Sequence, residues 1–319
     1  VKRALGLRHR AEYALVVLVR AFVRFAPDAI ARALGSIVGL TFYACDPSHR
    51  RLAVDQIRAA FPTRSAAECR AIARATFVHF GRLLVLLLKF STLSPSRIRA
   101  RVEFEGEDRV RSALAGGHGA IVFSGHFGYW ELQGLAHAVV LPPMSVLARP
   151  LDNPYLHTLL ERTREATGNH VIYRQGAIRR VLRALNANEC VAMLIDQHTH
   201  TADAVTVEFF DRPVATTSAL ATLALRTGAP LIPAFALPLS GGRFRLIYEP
   251  LIEMPKEDTP DPVGALTQRA TDVLEMYVRR HPHLWLWMHR RWREQPASGP
   301  SERGMFPSAA ADATEGPAD

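Results

Sequence analysis

The chain has 319 residues, 48% of them hydrophobic, and carries a formal net charge of +9. That apolar content excludes a disordered chain, and the length permits one large core or two small ones. Three cysteines, far apart and without a C-x-x-C, argue against a disulfide framework or a thiolate zinc site and fit a reducing compartment. The excess charge favours anionic partners such as nucleic acid, acidic lipid headgroups or an acidic carrier protein.

The first 32 residues hold seven Lys or Arg against two acids, Glu12 and Asp28. Here YALVVLVRAFVRFAPDAIARALG has its apolar residues interrupted by Arg20, Arg24 and Arg32. No charge-free run reaches the roughly 18 residues of a simple membrane span, and YALVVLV is too short for a signal peptide. The pattern reads as a helix pair lying in a bilayer interface with Arg reaching for phosphates; a core helix pair is the alternative. Residues up to about 95 continue as helices, broken at Phe61-Pro62, with Ser65 and Glu68 forming a capping box that restarts the chain.

From about residue 100 strands and helices alternate. RVEFEGE is a strand and Asp108 to Ala115 a helix. Ala120 to Ser124 is a buried strand, with a helix from about Tyr129. PMSVLAR, NHVIYR and CVAMLID are strands separated by helices over Pro154 to Thr167 and Ala177 to Ala187. AVTVEFF is a strand, Ser218 to Arg226 a helix, PLIPAFAL and RFRLIYE strands, and Pro262 to Arg280 a long helix. This grammar predicts an α/β fold: a mixed, largely parallel sheet covered by helices, preceded by an all-helical membrane-associated segment. The expected division is 1–95 helical segment, 96–295 α/β domain and 296–319 disordered tail, the last being small, polar and Pro-rich.

In open α/β sheets ligands gather at the carboxyl ends of strands. Three of these ends carry reactive residues: His126 after Ala120–Ser124, Arg149 after PMSVLA, and Asp196 with Gln197 after CVAMLI. The spacing H-x-x-x-x-D/E occurs three times, at His126/Glu131, His198/Asp203 and His289/Glu294, so spacing alone does not select a site. Two residues five apart on one helix point about 140° away from each other. They meet only if the His lies in the turn before the helix, which SGHFGYWE allows through Gly125 and Gly128. Glu131 is then expected to accept from one ring nitrogen of His126 and leave the other as general base. A rival reading is a metal-dependent hydrolase with Asp196, His198 and His200 as ligands. P-loop, dinucleotide and nucleophile-elbow motifs are absent, and no nucleic-acid docking module is apparent.

SGHFGYWE, ARPLDNPYL, LLERTREATG, LIDQHT, VEFFDRPVATTSALATLALRTGAPLIP and LWLWMHRRWR, in that order, resemble the lipid A biosynthesis acyltransferases, the late lauroyl and myristoyl transferases. The resemblance runs from about Arg50 to Arg293. It implies direct acyl transfer from an acyl carrier protein or acyl-CoA thioester to a hydroxyl of a phosphorylated glycolipid, without metal or other cofactor. By that resemblance His126 is the base and Glu131 its partner, while Arg149 and Arg164 hold phosphate or the oxyanion. Asp196 has a positioning role, with Asn153 and Gln197 as weaker substrate-binding companions. A phosphatidylinositol mannoside acceptor with acyl-CoA is the alternative within the family, and a non-catalytic lipid-binding module the alternative outside it. The expected place is the cytoplasmic face of a bacterial inner membrane. His289, Arg290, Arg291 and Arg293 are expected on a basic surface facing an acidic carrier or lipid.

Overall fold

The computed structural model describes residues 2–173, 176–199 and 204–292. The segment 296–319, read as a tail, lies outside the described residues, as do Arg293, Glu294, His200 and Asp203. Five helices come first: α1 (Lys2–Phe25), α2 (Asp28–Cys45), α3 (Pro47–Ala60), α4 (Ala66–Phe90) and α5 (Pro95–Arg99). Their starts obey the sequence chemistry. Asp46 caps α3 ahead of Pro47, and the Ser65–Glu68 capping box at α4 forms with both of its hydrogen bonds.

Helices α2 and α4 meet backbone to backbone. A Cβ on Gly39 would lie 2.2 Å from the Phe77 carbonyl oxygen, and one on Gly81 would lie 2.3 Å from that of Gly35. Gly81→Val is therefore expected to lower stability by roughly 1–3 kcal/mol through overpacking. The thermal unfolding midpoint checks this, with Gly6→Ala, whose added Cβ meets nothing within 4 Å, as the harmless control.

Two helices, Asp28–Cys45 and Ala66–Phe90, are long and apolar enough to cross a membrane by length and composition. The second is a helix of the body: Ala73 and Phe77 pack into one core cluster, Leu83, Leu86 and Phe90 into the other. The helical segment thus shares its core with the sheet-bearing part of the chain. Outward, α1 and α2 expose Leu15, Leu18, Phe22, Phe25, Ile30, Ile37 and Phe42. The first four, at spacings of three and four, form one stripe along α1.

Then come β1 (Val102–Glu105), α6 (Glu107–Ala115), β2 (Ala120–Ser124), α7 (Trp130–Val140), β3 (Met144–Ala148), α8 (Pro154–Glu165), β4 (His170–Tyr173), α9 (Ala177–Asn186) and β5 (Cys190–Leu194). The chain continues through β6 (Ala204–Glu208), β7 (Pro213–Thr217), α10 (Ala219–Thr227), β8 (Leu231–Pro238), β9 (Phe244–Tyr248) and α11 (Pro262–Arg280). Seven strands form one sheet in the order β1-β9-β8-β2-β5-β3-β4, parallel except where β8 meets β9. Its two faces bury the two clusters, and all five residues of β2 are buried, as a central strand covered on both sides requires.

The second strand of the β6–β7 hairpin is not apparent in the sequence. Its turn places Phe210 and Asp211 at φ of 55° and 56°. Such turns are normally announced by Asn-Gly or Asp-Gly, and here that signal is missing.

Candidate active site

β2 and β5 are neighbours in parallel register, with Ser124 opposite Leu194. His126 and Asp196 each lie two residues further on, so the register itself brings them face to face. His126 Nδ1 donates to Asp196 Oδ1 at 2.8 Å, and the His126 backbone N–H donates to Oδ2 at 2.7 Å. Trp285 Nε1 supplies a third donor to Oδ2 at 2.8 Å. An ionised carboxylate only accepts, so the ring proton sits on Nδ1 and the Nε2 lone pair is left to act as base. Gln197 Nε2 lies 3.5 Å from that nitrogen.

The turn carrying His126 is held on all sides. Gly128 adopts φ of 58°, and a Cβ there would come within 2.2 Å of the Ala236 carbonyl oxygen. At Gly125 a Cβ would stand 2.9 Å from Asp196 Oδ2. Both glycines of SGHFG are thus required, one for its backbone angle and one for close approach. The segment LWL pairs with the turn: Gly128 N–H donates to Leu284 O at 2.9 Å and Leu286 N–H to His126 O at 3.1 Å. The buried His79 ring bonds Gly128 O at 3.0 Å.

Burial works against the charged form of His126, but the adjoining Asp196 carboxylate outweighs it and raises the imidazole above its usual 6.5. For Asp196, burial also opposes charge, yet the His126 ring, the His126 backbone and Trp285 hold it down at about 2. Asp196 therefore stays ionised, and the ring gives up its proton, becoming a base, only above 6.5.

Three residues have other partners than expected. Glu131 does not bond His126; it sits in the first turn of α7, and Arg164 of α8 clamps it with contacts of 2.6 and 3.1 Å. Asp196 from the adjacent strand occupies Nδ1 instead, because strand register sets that distance while α7 carries Glu131 toward α8. Asn153 is buried at the start of α8. Its Oδ1 accepts from the N–H groups of Tyr155 and Leu156, and its Nδ2 donates to His9 O and Glu12 of α1. It serves as a helix cap and a strap for α1, away from the residues that line the cleft of His126. Arg291, expected at the surface, is 1% exposed and bonds Ala215 O at 3.1 Å and Thr216 Oγ1 at 2.5 Å on β7.

His126, Glu131, Arg149, Arg164 and Gln197 line one cleft of about 570 Å³, together with Trp130 and Thr217. Two cleft residues, Glu131 and Trp130, also line an apolar groove of about 380 Å³ between α1, α4 and α8, walled by Phe80, Leu84, Leu87, Leu156 and Leu160. Trp285 and Trp130, the latter with its ring 5.4 Å from that of His126, were not singled out from sequence. The alternating tryptophans of LWLW are the signal for Trp285, and Trp130 stands inside SGHFGYWE next to Glu131. Of the rival metal set, Asp196 has both oxygens engaged by protein donors and His200 lies outside the described residues. Among the described residues no group of three or more His, Cys, Asp or Glu converges.

A family model for bacterial lipid A biosynthesis acyltransferases matches residues 2–294. A phosphatidylinositol mannoside acyltransferase of Mycobacterium tuberculosis is 25% identical over 223 residues, covering 68% of this chain and 69% of that protein. The lipid A biosynthesis palmitoleoyltransferase of Escherichia coli is 25% identical over 265 residues, 82% of this chain and 85% of the relative. The lipid A biosynthesis lauroyltransferase of the same organism is 27% identical over 244 residues, 76% and 78% of the two chains. The strand-end histidine, its buried aspartate and this match across the described body agree: the chain belongs to the bacterial lipid A biosynthesis acyltransferase family and is an acyltransferase.

Proposed function

We propose that this acyltransferase moves a fatty acyl chain from an acyl carrier protein or acyl-CoA thioester to a hydroxyl of a phosphorylated glycolipid, a lipid A precursor in the first instance. The observation that carries the reading is a histidine base, set by a buried aspartate, in an arginine-lined cleft that shares Trp130 and Glu131 with an apolar groove. His126 Nε2 takes the proton of the acceptor hydroxyl as its oxygen attacks the thioester carbonyl carbon. The tetrahedral oxyanion collapses, the C–S bond breaks, and the thiolate leaves with the proton from the imidazolium. Arg164, oriented by Glu131, and Arg149 are the cations placed to hold the oxyanion or an acceptor phosphate, which suits their planar fork. The groove takes an acyl chain.

In this reading residues 1–95 seat the enzyme on a membrane, with the exposed stripe of α1 and α2 in the interface, and residues 96–295 carry the chemistry. The place is the cytoplasmic face of a bacterial inner membrane, where acyl thioesters are made. A phosphatidylinositol mannoside is the second acceptor class, favoured by the name of the Mycobacterium tuberculosis relative. Purified protein should transfer labelled acyl chains from a thioester to one of these acceptors, read by mass spectrometry. Comparing lipids of cells with and without the gene then names acceptor and chain. Thiol release without acyl gain on any glycolipid would overturn the acceptor assignment.

A further inference from the structure

A second cavity, of about 480 Å³, shares no lining residue with the cleft. Ser36 and Leu40 of α2 form one side, Arg74, Val78, His79 and Arg82 of α4 another, and Tyr129 and His283 close it. Arg74, Arg82, His79 and His283 are its cationic or potentially cationic lining groups, and among the described residues no carboxylate lines it. Arg82 Nε donates to Ser36 Oγ at 2.8 Å, which fixes the guanidinium fork. One turn earlier on α2, the buried Nη1 of Arg32 has no hydrogen-bond partner among the described residues. Neither Arg32, Arg74 nor Arg82 has an ion-pair partner among them.

The field inside is correspondingly one-signed. Burial holds His79 down at about 3, and the charges that add to this are His283 and Arg82. Tyr129, raised by burial, feels Arg82 and Arg32. Fixed guanidinium groups without carboxylates are the chemistry of an oxyanion site, and Arg favours phosphate by bidentate bonding. Beside the pocket, the outward face of α2 presents Ile30, Ala33 and Ile37, all exposed and uncharged. A phosphate bound here has an apolar surface next to it for hydrocarbon chains.

We propose that this pocket is a second, non-catalytic site that takes the phosphate of a membrane lipid lying along α2. The inference does not depend on the acyl-transfer reading. Flotation of the full chain with phosphatidylcholine vesicles, with and without phosphatidic acid, tests it. The R74K/R82K variant keeps both charges and removes both forks. Its binding to phosphatidic-acid vesicles is expected to fall roughly fivefold or more, the loss of about one charge-assisted contact, while binding to phosphatidylcholine alone is unchanged. R24Q, which removes a charge from the exposed end of α1, should lose less, and H126A should bind as wild type. Both exchanged arginines are exposed, so the fold should survive, with an unchanged thermal midpoint as the check. Wild-type binding by R74K/R82K, or a loss in R24Q as large, would mean diffuse charge attraction and overturn the site. Millimolar inorganic phosphate displacing the protein as well as a short-chain phosphatidic acid would overturn the lipid assignment.

Discussion

His126→Ala is expected to lower kcat for acyl transfer by roughly 10²–10⁴-fold, the usual contribution of a positioned general base. KM for the thioester should change little, because the ring meets the acceptor proton rather than the acyl chain. The basis is geometric: Nδ1 is committed to Asp196 at 2.8 Å, which leaves Nε2 as the basic atom facing the cleft. Thiol release measured against a long-chain thioester, with and without acceptor, reads the effect. A turnover within a few-fold of wild type would remove His126 from the mechanism. The wild-type rate should also rise with pH through an acid limb above 6.5, since the base works deprotonated and Asp196 raises its proton affinity.

Asp196→Asn is expected to be nearly as damaging and to move that limb. An amide brings its own N–H group into a site where three donors converge: the His126 ring, the His126 backbone and Trp285. At least one donor loses its acceptor, costing about 1–3 kcal/mol, and the ring can turn to the wrong tautomer, so kcat should fall by roughly 10²–10⁴-fold. With the carboxylate gone, burial is the main influence left on His126, and it favours the neutral ring. The acid limb therefore moves to lower pH while the rate on the plateau drops. Glu131→Gln is the comparison. It frees Arg164 but leaves the His126–Asp196 bond, so activity falls while the limb moves only slightly. A larger limb shift in Glu131→Gln than in Asp196→Asn would restore Glu131 as the partner of the base.

The same pair makes a stability statement. The Asp196 carboxyl is depressed to about 2, so its stabilisation is complete above its ordinary value of 3.8 and is lost as pH falls through about 2. His126 is raised, so its share is present below 6.5 and is lost as pH rises through its folded value. Both describe one interaction seen from two ends. Asp196→Asn should flatten the acid-side dependence of the unfolding midpoint.

Much of this was legible in the chain because it depends on neighbours in sequence. The capping box at Ser65, the buried strand Ala120–Ser124 and the glycine-flanked turn around His126 arise from local sterics and period. So does the exposed apolar stripe of α1, written as a three-and-four spacing. The hairpin strand β7 was not legible, since Phe210 and Asp211 hold a backbone angle that their side chains do not announce.

By itself the sequence determined the α/β order of elements, the strand ends at which chemistry collects, and His126 as the residue to test. These rest on local backbone preference and on the hydrophobic period, which any stretch of chain carries within itself. Only the tertiary structure decided which carboxylate serves the histidine. Asp196 lies 70 residues away in sequence and 2.8 Å away in space because β5 pairs with β2, and strand order is a property of the whole sheet. The same long-range packing sent Glu131 to Arg164, turned Asn153 into a strap for α1 and drew Arg291 into the core. Each was a polar residue whose partner the local sequence could not name.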